Sequence, residues 1–201
     1  MNNKIFTISV DIDGVLTDFE NFVLINGKKY FGKKYNMQIV EPNGFDVNQV
    51  FGATKKQLRK FWEKYYFKYC IIQPVRIGAR ETIAKLKKEG NKIIIITGRM
   101  LSYEKNFMGA FMRSSVKFWL WKNGIIYDKI IFCPEHDHKA ELCNDLGINI
   151  MLEDKPQNAF LISKSLPIIC FDAAYNRDCK GENINRAQNW DEVYNLIKNM
   201  E

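Results

Sequence analysis

Four isoleucines in a row, Ile93 to Ile96, stand between Gly90 and Gly98, flanked by Lys92 and Thr97. Successive strand residues point to opposite faces, so an unbroken β-branched run fits a strand covered on both sides, as in a parallel sheet. A second run, residues 4–10, is β-branched and aromatic and stops abruptly at Asp11. Residues 127–133, 148–152 and 167–171 read as three further strands. Between and after them lie segments with helical spacing or helix punctuation: 79–89 closed by Gly90, 106–122, 138–146 closed by Gly147, 156–164 opened by Pro156, and 190–199. Strands alternating with helices imply an α/β fold, a doubly wound parallel sheet with right-handed crossovers.

The rhythm breaks between Asp18 and Gln73, where no convincing strand is visible. Residues 18–35 and 54–69 read as helices, the second with Leu58, Phe61, Trp62, Tyr65, Tyr66 and Tyr69 at helical spacing, and 41–45 as a loop. We expect 18–73 to be a small helical insertion above the C-terminal end of the first strand, leaving 1–17 and 74–201 as the core. The 46% apolar and 13% aromatic content argues against disorder. No apolar stretch nears the ~20 residues of a spanning helix. The first residues lack the apolar core and cleavage site of a signal peptide. A cytoplasmic location without a membrane partner is expected. Five cysteines without a CxxC spacing point to reduced thiols, not to a disulfide framework or a structural zinc site. The formal charge of +7 suits a small anionic substrate, with nucleic acid the less expected partner.

The chemistry-bearing residues follow the strands. Asp11 and Asp13, at i and i+2 of an extended segment, can face one pocket at the sheet's C-terminal edge, where open α/β sheets bind ligands. Two close like charges need a cation, and Mg²⁺ is a hard ion that prefers oxygen. Gly14 permits a sharp exit from the strand. Thr97 and Gly98 follow the isoleucine run, where a hydroxyl and backbone N–H groups can hold phosphate oxygens. Lys139 opens the short helix after the third strand and can hold a phosphate oxygen while keeping a neighbouring carboxylate ionised. Glu153 and Asp154 form a second acid pair after the fourth strand and supply further metal ligands.

Acid pair, Thr-Gly, Lys and acid pair, in that order along one parallel sheet, resemble the haloacid dehalogenase-like (HAD) hydrolase superfamily. Its four motifs match Asp11-x-Asp13-Gly14-x-x-Thr17, Thr97, Lys139 and Glu153-Asp154. The early insertion is similar to that superfamily's type-1 cap. The opening Asp-Ile-Asp-Gly-Val-Leu-Thr-Asp-Phe-Glu and the Glu-Asp-Lys-Pro-Gln-Asn stretch look most like the 5′(3′)-deoxyribonucleotidases and related bacterial nucleotidases. The resemblance implies a Mg²⁺-dependent phosphomonoesterase in which Asp11 is the nucleophile and Asp13 the general acid and base. It implies Mg²⁺ on the Asp11 carboxylate, the Asp13 carbonyl and the Asp154 carboxylate, with Glu153 orienting a metal-bound water. Thr97, Gly98 and Lys139 would hold the phosphoryl group of a nucleoside monophosphate.

Other residues have plainer readings. His136 and His138 read as surface or supporting histidines, and Phe61, Trp62, Tyr65 and Tyr66 as the insertion's own core. Phe19 and Phe22, just past the nucleophile, are placed for substrate contact, and Arg99 for substrate contact or a salt bridge. Residues 175–177 can reach the pocket's edge, and the helix with Phe107, Phe111, Phe118, Trp119 and Trp121 reads as a cover for the sheet. The competing functions are a phosphatase of sugar phosphates or other small metabolites, a non-catalytic ligand-binding module on the same fold, and a nucleic-acid 3′-end phosphatase.

Overall fold

The computed structural model describes residues 4–134 and 137–200. Six parallel strands form one sheet in the order β3-β2-β1-β4-β5-β6: β1 Thr7–Val10, β2 Lys92–Thr97, β3 Lys129–Phe132, β4 Ile150–Glu153, β5 Ile168–Phe171 and β6 Ile184–Ala187. The isoleucine run behaves as its sequence demands. Ile93 and Ile95 enter the core on one face, with Ile8, Val10 and Leu152. Ile94 and Ile96 enter the core on the other, with Met151, Ile168 and Cys170. Burying side chains of this size contributes about 1.5–3 kcal/mol each.

Helices α5 Ala79–Lys88, α6 Phe107–Lys122 and α9 Trp190–Asn199 cover the first face through Ile83, Leu86, Val116, Trp119, Leu120, Val193 and Ile197. Helices α7 Asp137–Asp145 and α8 Pro156–Ile162 cover the second through Cys143, Ala159 and Ile162. The expected covering role of α6 is only partly right. Phe107, Phe111, Phe118 and Trp121 are exposed, because only one stripe of a helix can face the sheet.

Between β1 and β2 the chain forms α1 Phe19–Gly27, α2 Lys33–Tyr35, α3 Val47–Phe51 and α4 Lys55–Phe67. A wide turn at Lys28–Gly32 joins α1 to α2, and another at Lys68–Ile72 follows α4. Thr54 and Gln57 cap α4 reciprocally. Phe22, Phe31, Phe51, Phe61 and Tyr65 bury one another in a separate aromatic cluster, joined by Met112 of α6. The chain leaves and re-enters at one place: Thr17 and Val75 form an antiparallel bridge, and the Arg76 N–H donates to the Leu16 carbonyl at 2.7 Å.

The sheet order sets the site. From β1 the chain builds outward to β2 and β3, then returns to β1's other side for β4, β5 and β6. Ligands of such sheets bind where the order reverses, outside the strands' C-terminal ends. In register, Val10 lies beside Leu152 and Ile95, so the residues just past β1 and β4 emerge side by side.

Candidate active site

Past Val10 the backbone makes one wide turn over Ile12–Leu16, closed by the Thr17 N–H to the Ile12 carbonyl at 2.9 Å. Asp11 is held to the neighbouring strand by its own N–H, which donates to the Leu152 carbonyl at 3.1 Å. Gly14 takes φ +81°, and a Cβ there would lie 1.8 Å from Asp154 Oδ2. Only a residue without a side chain lets this turn approach the second acid pair.

Asp11, Glu153 and Asp154 are all buried, and each offers a carboxylate oxygen within 4.8 Å of the others. Lys139, also buried, reaches Asp11 Oδ2 at 3.1 Å and Glu153 Oε2 at 2.8 Å. Glu153 Oε1 accepts the N–H groups of Asp154 and Lys155 at 3.2 and 3.1 Å. Asp154 Oδ2 accepts from the Tyr175 hydroxyl. Asp11 Oδ1 is buried with no hydrogen-bond partner among the described residues.

The charges are unbalanced. Burial pushes the Asp11 carboxyl from 3.8 up to about 7, against the opposing pull of Lys139. Burial, then the charges of Glu153 and Asp11, drive Asp154 well above the usual carboxylate range. Burial also works against Glu153, yet Lys139 holds it below its ordinary value. Three enclosed carboxylates facing one ammonium leave excess negative charge. The orphaned Asp11 oxygen points to what would relieve it, a divalent cation with oxygen ligands. Asp11, Asp154 and Glu153 could hold one.

Asp13 lies apart from that cluster. Its carboxylate takes the Arg99 guanidinium and the Tyr69 hydroxyl. The Thr97 side chain is fully buried and accepts the Arg99 N–H at 3.2 Å, while Gly98 is partly open. A cavity of about 170 Å³ adjoins Asp13. Its walls are Phe19, Phe45, Trp62, Tyr66 and Tyr69 from the insertion, and Gly98, Arg99 and Met100 from the sheet side. Phe19 stacks on Phe45 at 5.0 Å and lies nearly parallel to Trp62 at 6.1 Å. Phe22 does not line this cavity; it packs against Tyr69 and Trp62. The Tyr66 hydroxyl spans the crevice to the Met100 carbonyl at 2.5 Å. A larger groove of about 690 Å³ lies elsewhere, among Lys29, Lys33, Lys34, Lys60 and Lys64, without a carboxylate cluster.

Residues 3–200 match the family described as 5′ nucleotidase, deoxy (Pyrimidine), cytosolic type C. The chain belongs to this family. It is a phosphatase of the nucleotidase type, within the HAD-like superfamily. A nucleotidase of Clostridium acetobutylicum is 28% identical over 197 residues, covering 94% of this chain and 92% of that protein. A protein of Chlorobaculum tepidum, provisionally named a 5′(3′)-deoxyribonucleotidase, is 28% identical over 211 residues, covering 98% and 93%. A solved structure from Clostridium acetobutylicum, described as a predicted phosphatase, shares the fold with TM-score 0.62 at 15% identity, covering 96% and 99%. No helix among the described residues is long and apolar enough to cross a membrane.

In this nucleotidase-family member the structure gathers Asp11, Lys139, Glu153 and Asp154 into one buried group, with Asp13 and Arg99 paired beside it. His138 is exposed, and His136 lies outside the described residues. Tyr69 gains a place that sequence reasoning does not give it, and Tyr175 and Asn176, expected at the pocket's edge, reach the acid cluster itself. By its spacing Tyr69 reads only as one of the helical aromatics, yet it touches Asp13. Tyr175 was placed at the pocket's edge, and it reaches Asp154 itself. Asn176 donates to the Asp154 carbonyl at 2.7 Å and the Phe171 carbonyl at 2.8 Å, tying the loop after β5 to the site. The available signal for these two was their position directly after a strand that ends at the same edge.

Proposed function

We propose that the protein is a Mg²⁺-dependent 5′-nucleotidase that hydrolyses nucleoside or deoxynucleoside monophosphates through an aspartyl-phosphate on Asp11. The observation that carries this reading is the Asp11 carboxylate: buried, contacted by Lys139 on one oxygen and unpartnered on the other. In the first half-reaction an Asp11 oxygen bonds to phosphorus while the ester P–O bond breaks, and Asp13 gives its proton to the departing oxygen. In the second half-reaction water attacks the phosphorus, Asp13 takes that water's proton, and Asp11 is released. Lys139 neutralises charge beside the nucleophile and, with Thr97 and the Gly98 N–H, holds phosphoryl oxygens. Asp11, the Asp13 carbonyl and Asp154 are the expected Mg²⁺ ligands, with Glu153 supporting them; bound Mg²⁺ would supply electrostatic stabilisation of the transferring phosphoryl group.

The nucleotide reading rests on family membership and on the aromatic-walled cavity beside Asp13. That cavity is smaller than the ~300–1,000 Å³ of ordinary ligand pockets, which suits a single ring system gripped by a closed cap. In this reading residues 18–73 are the cap, Phe19 contacts the base, and Phe22 supports it from within. The buried, unpaired thiols accord with a cytoplasmic setting.

A panel of nucleoside and sugar monophosphates, assayed for released phosphate with Mg²⁺, tests the substrate class. Turnover of nucleotides is expected. Activity confined to sugar phosphates would transfer the protein to the competing reading. Asp11→Asn is expected to lower turnover at least about 1,000-fold. Undiminished turnover would remove Asp11 as nucleophile and leave a non-catalytic role for the cluster.

A further inference from the structure

The two oxygens of the Asp13 carboxylate are not equivalent. Arg99 Nε donates to Oδ1 at 3.0 Å and only more distantly to Oδ2 at 3.3 Å, while Nη2 donates to Oδ1. The Tyr69 hydroxyl donates to the same Oδ1 at 2.8 Å. The Tyr69 hydroxyl also lies 2.7 Å from Thr17 Oγ1, which in turn donates to the Ile12 carbonyl at 3.1 Å, so its place beside Asp13 is fixed from both sides. Three donors therefore converge on Oδ1, and among the described residues Oδ2 receives only the long arm of a shared bond.

Arg99 is fixed just as firmly. Its side chain is 1% exposed. Its faces lie against the rings of Tyr69 at 5.2 Å and Trp119 at 5.7 Å, its Nη1 donates to the Cys70 carbonyl at 3.4 Å, and its backbone N–H is held by Thr97. A proton on Oδ1 would face three donor hydrogens. When Asp13 carries a proton, Oδ2 is where it can reside.

We propose that Arg99 and Tyr69 are positioning residues that fix the Asp13 carboxylate so that Oδ2 is the oxygen exchanging protons during the reaction. The assignment rests on the reading of Asp13 as general acid and base. In the first half-reaction the Oδ2–H bond breaks and the proton passes to the leaving oxygen as its bond to phosphorus breaks. In the second, a proton from the attacking water returns to Oδ2 as that water's oxygen bonds to phosphorus. Such transfers need the donor oxygen within hydrogen-bond reach of its target, so a carboxylate free to rotate would spend much of its time misaligned.

The test uses the full chain with Mg²⁺ and single-turnover release of the alcohol from two esters. p-Nitrophenyl phosphate has a leaving group that departs without protonation; a deoxyribonucleoside 5′-monophosphate has one that needs it. With enzyme saturating over each ester, so that weaker binding in the cavity these residues line does not enter, Arg99→Met and Tyr69→Phe are expected to slow nucleoside release about 10- to 100-fold and p-nitrophenol release by a clearly smaller factor. Asp13→Asn is expected to give the same split, more strongly. Equal losses on both esters would mean a purely structural role and overturn the proposal, as would no loss on either. A split in Asp13→Asn that is absent from both other variants would overturn the positioning assignment alone. No split in Asp13→Asn would overturn the acid reading and this proposal with it. Tyr69→Phe removes one hydroxyl and keeps the ring, so it decides the matter if Arg99→Met does not fold.

Discussion

At Gly14 the backbone and the acid cluster meet. Its φ of +81° already disfavours any side chain, and the space a Cβ needs is filled by the Asp154 carboxylate. Gly14→Ala is expected to lose at least about 1–2 kcal/mol from the backbone alone. It should also push Asp154 out of the cluster. Urea unfolding and calorimetric Mg²⁺ titration check the two effects, and an alanine variant with unchanged Mg²⁺ affinity would contradict the second. Asp11 carries a pH signature. Its folded carboxyl is raised from 3.8 to about 7, so its contribution to stability is fully present below 3.8 and lost as pH rises through about 7. In chelator the melting temperature is expected to fall between about pH 4 and about pH 7, and part of that fall should vanish in Asp11→Asn. No difference between the two proteins would refute the shift. Asp11, Lys139 and Asp154 were legible in sequence because each follows a strand at the same sheet edge. The pairing of Arg99 with Asp13 was not, because a guanidinium's partner depends on how the loop after β2 folds back.

Among the elements, β2 shows how burial and identity match. Ile95 is completely buried between Val10 on β1 and Ile130 on β3. Ile95→Ala is expected to cost about 2–5 kcal/mol in thermal or urea unfolding. Helix α9 is capped by Asn189, whose side chain accepts the Glu192 N–H at 2.9 Å. Asn189→Ala is expected to cost about 1 kcal/mol, measurable in the same way. The first five strands are readable from apolar runs, with ends shifted: β1 is expected from residue 4 and starts at Thr7, and β4 is expected to stop at 152 but includes Glu153. The sixth strand, Ile184–Ala187, escaped detection. It is an edge strand of four residues with Asn185 and Arg186 in the middle, so it carries no apolar signature. Its pairing with β5 comes from the sheet, not from its own composition. Helix α3 was missed for a similar reason, since five residues give too little periodicity to count.

Across the whole molecule, unpaired negative charge in the centre should make folding and cation binding interdependent. An ion bound only by the native state stabilises it by about 2.7 kcal/mol at a hundredfold excess over Kd. For a chain of this length that corresponds to roughly 5–10 °C in Tm. Thermal melts in EDTA and in excess Mg²⁺ are expected to differ in that sense, and identical melts would argue against a cation at Asp11, Glu153 and Asp154. Arrangement at this scale was the most legible of all, because alternating strands and helices leave few topologies. The shape of the cavity beside Asp13 was the least, since it depends on aromatic rings brought together from α1, α4 and the loop holding Phe45.

The bridge between Thr17 and Val75 has an architectural consequence. A chain that departs and returns through adjacent doorways can lengthen, shorten or exchange what lies between them with little disturbance to the strands, because closing a longer excursion adds only a slowly growing entropic cost. The buried carboxylates at the sheet edge and the residues of the insertion can then change at different rates, one anchored in the strands and the other free to diversify.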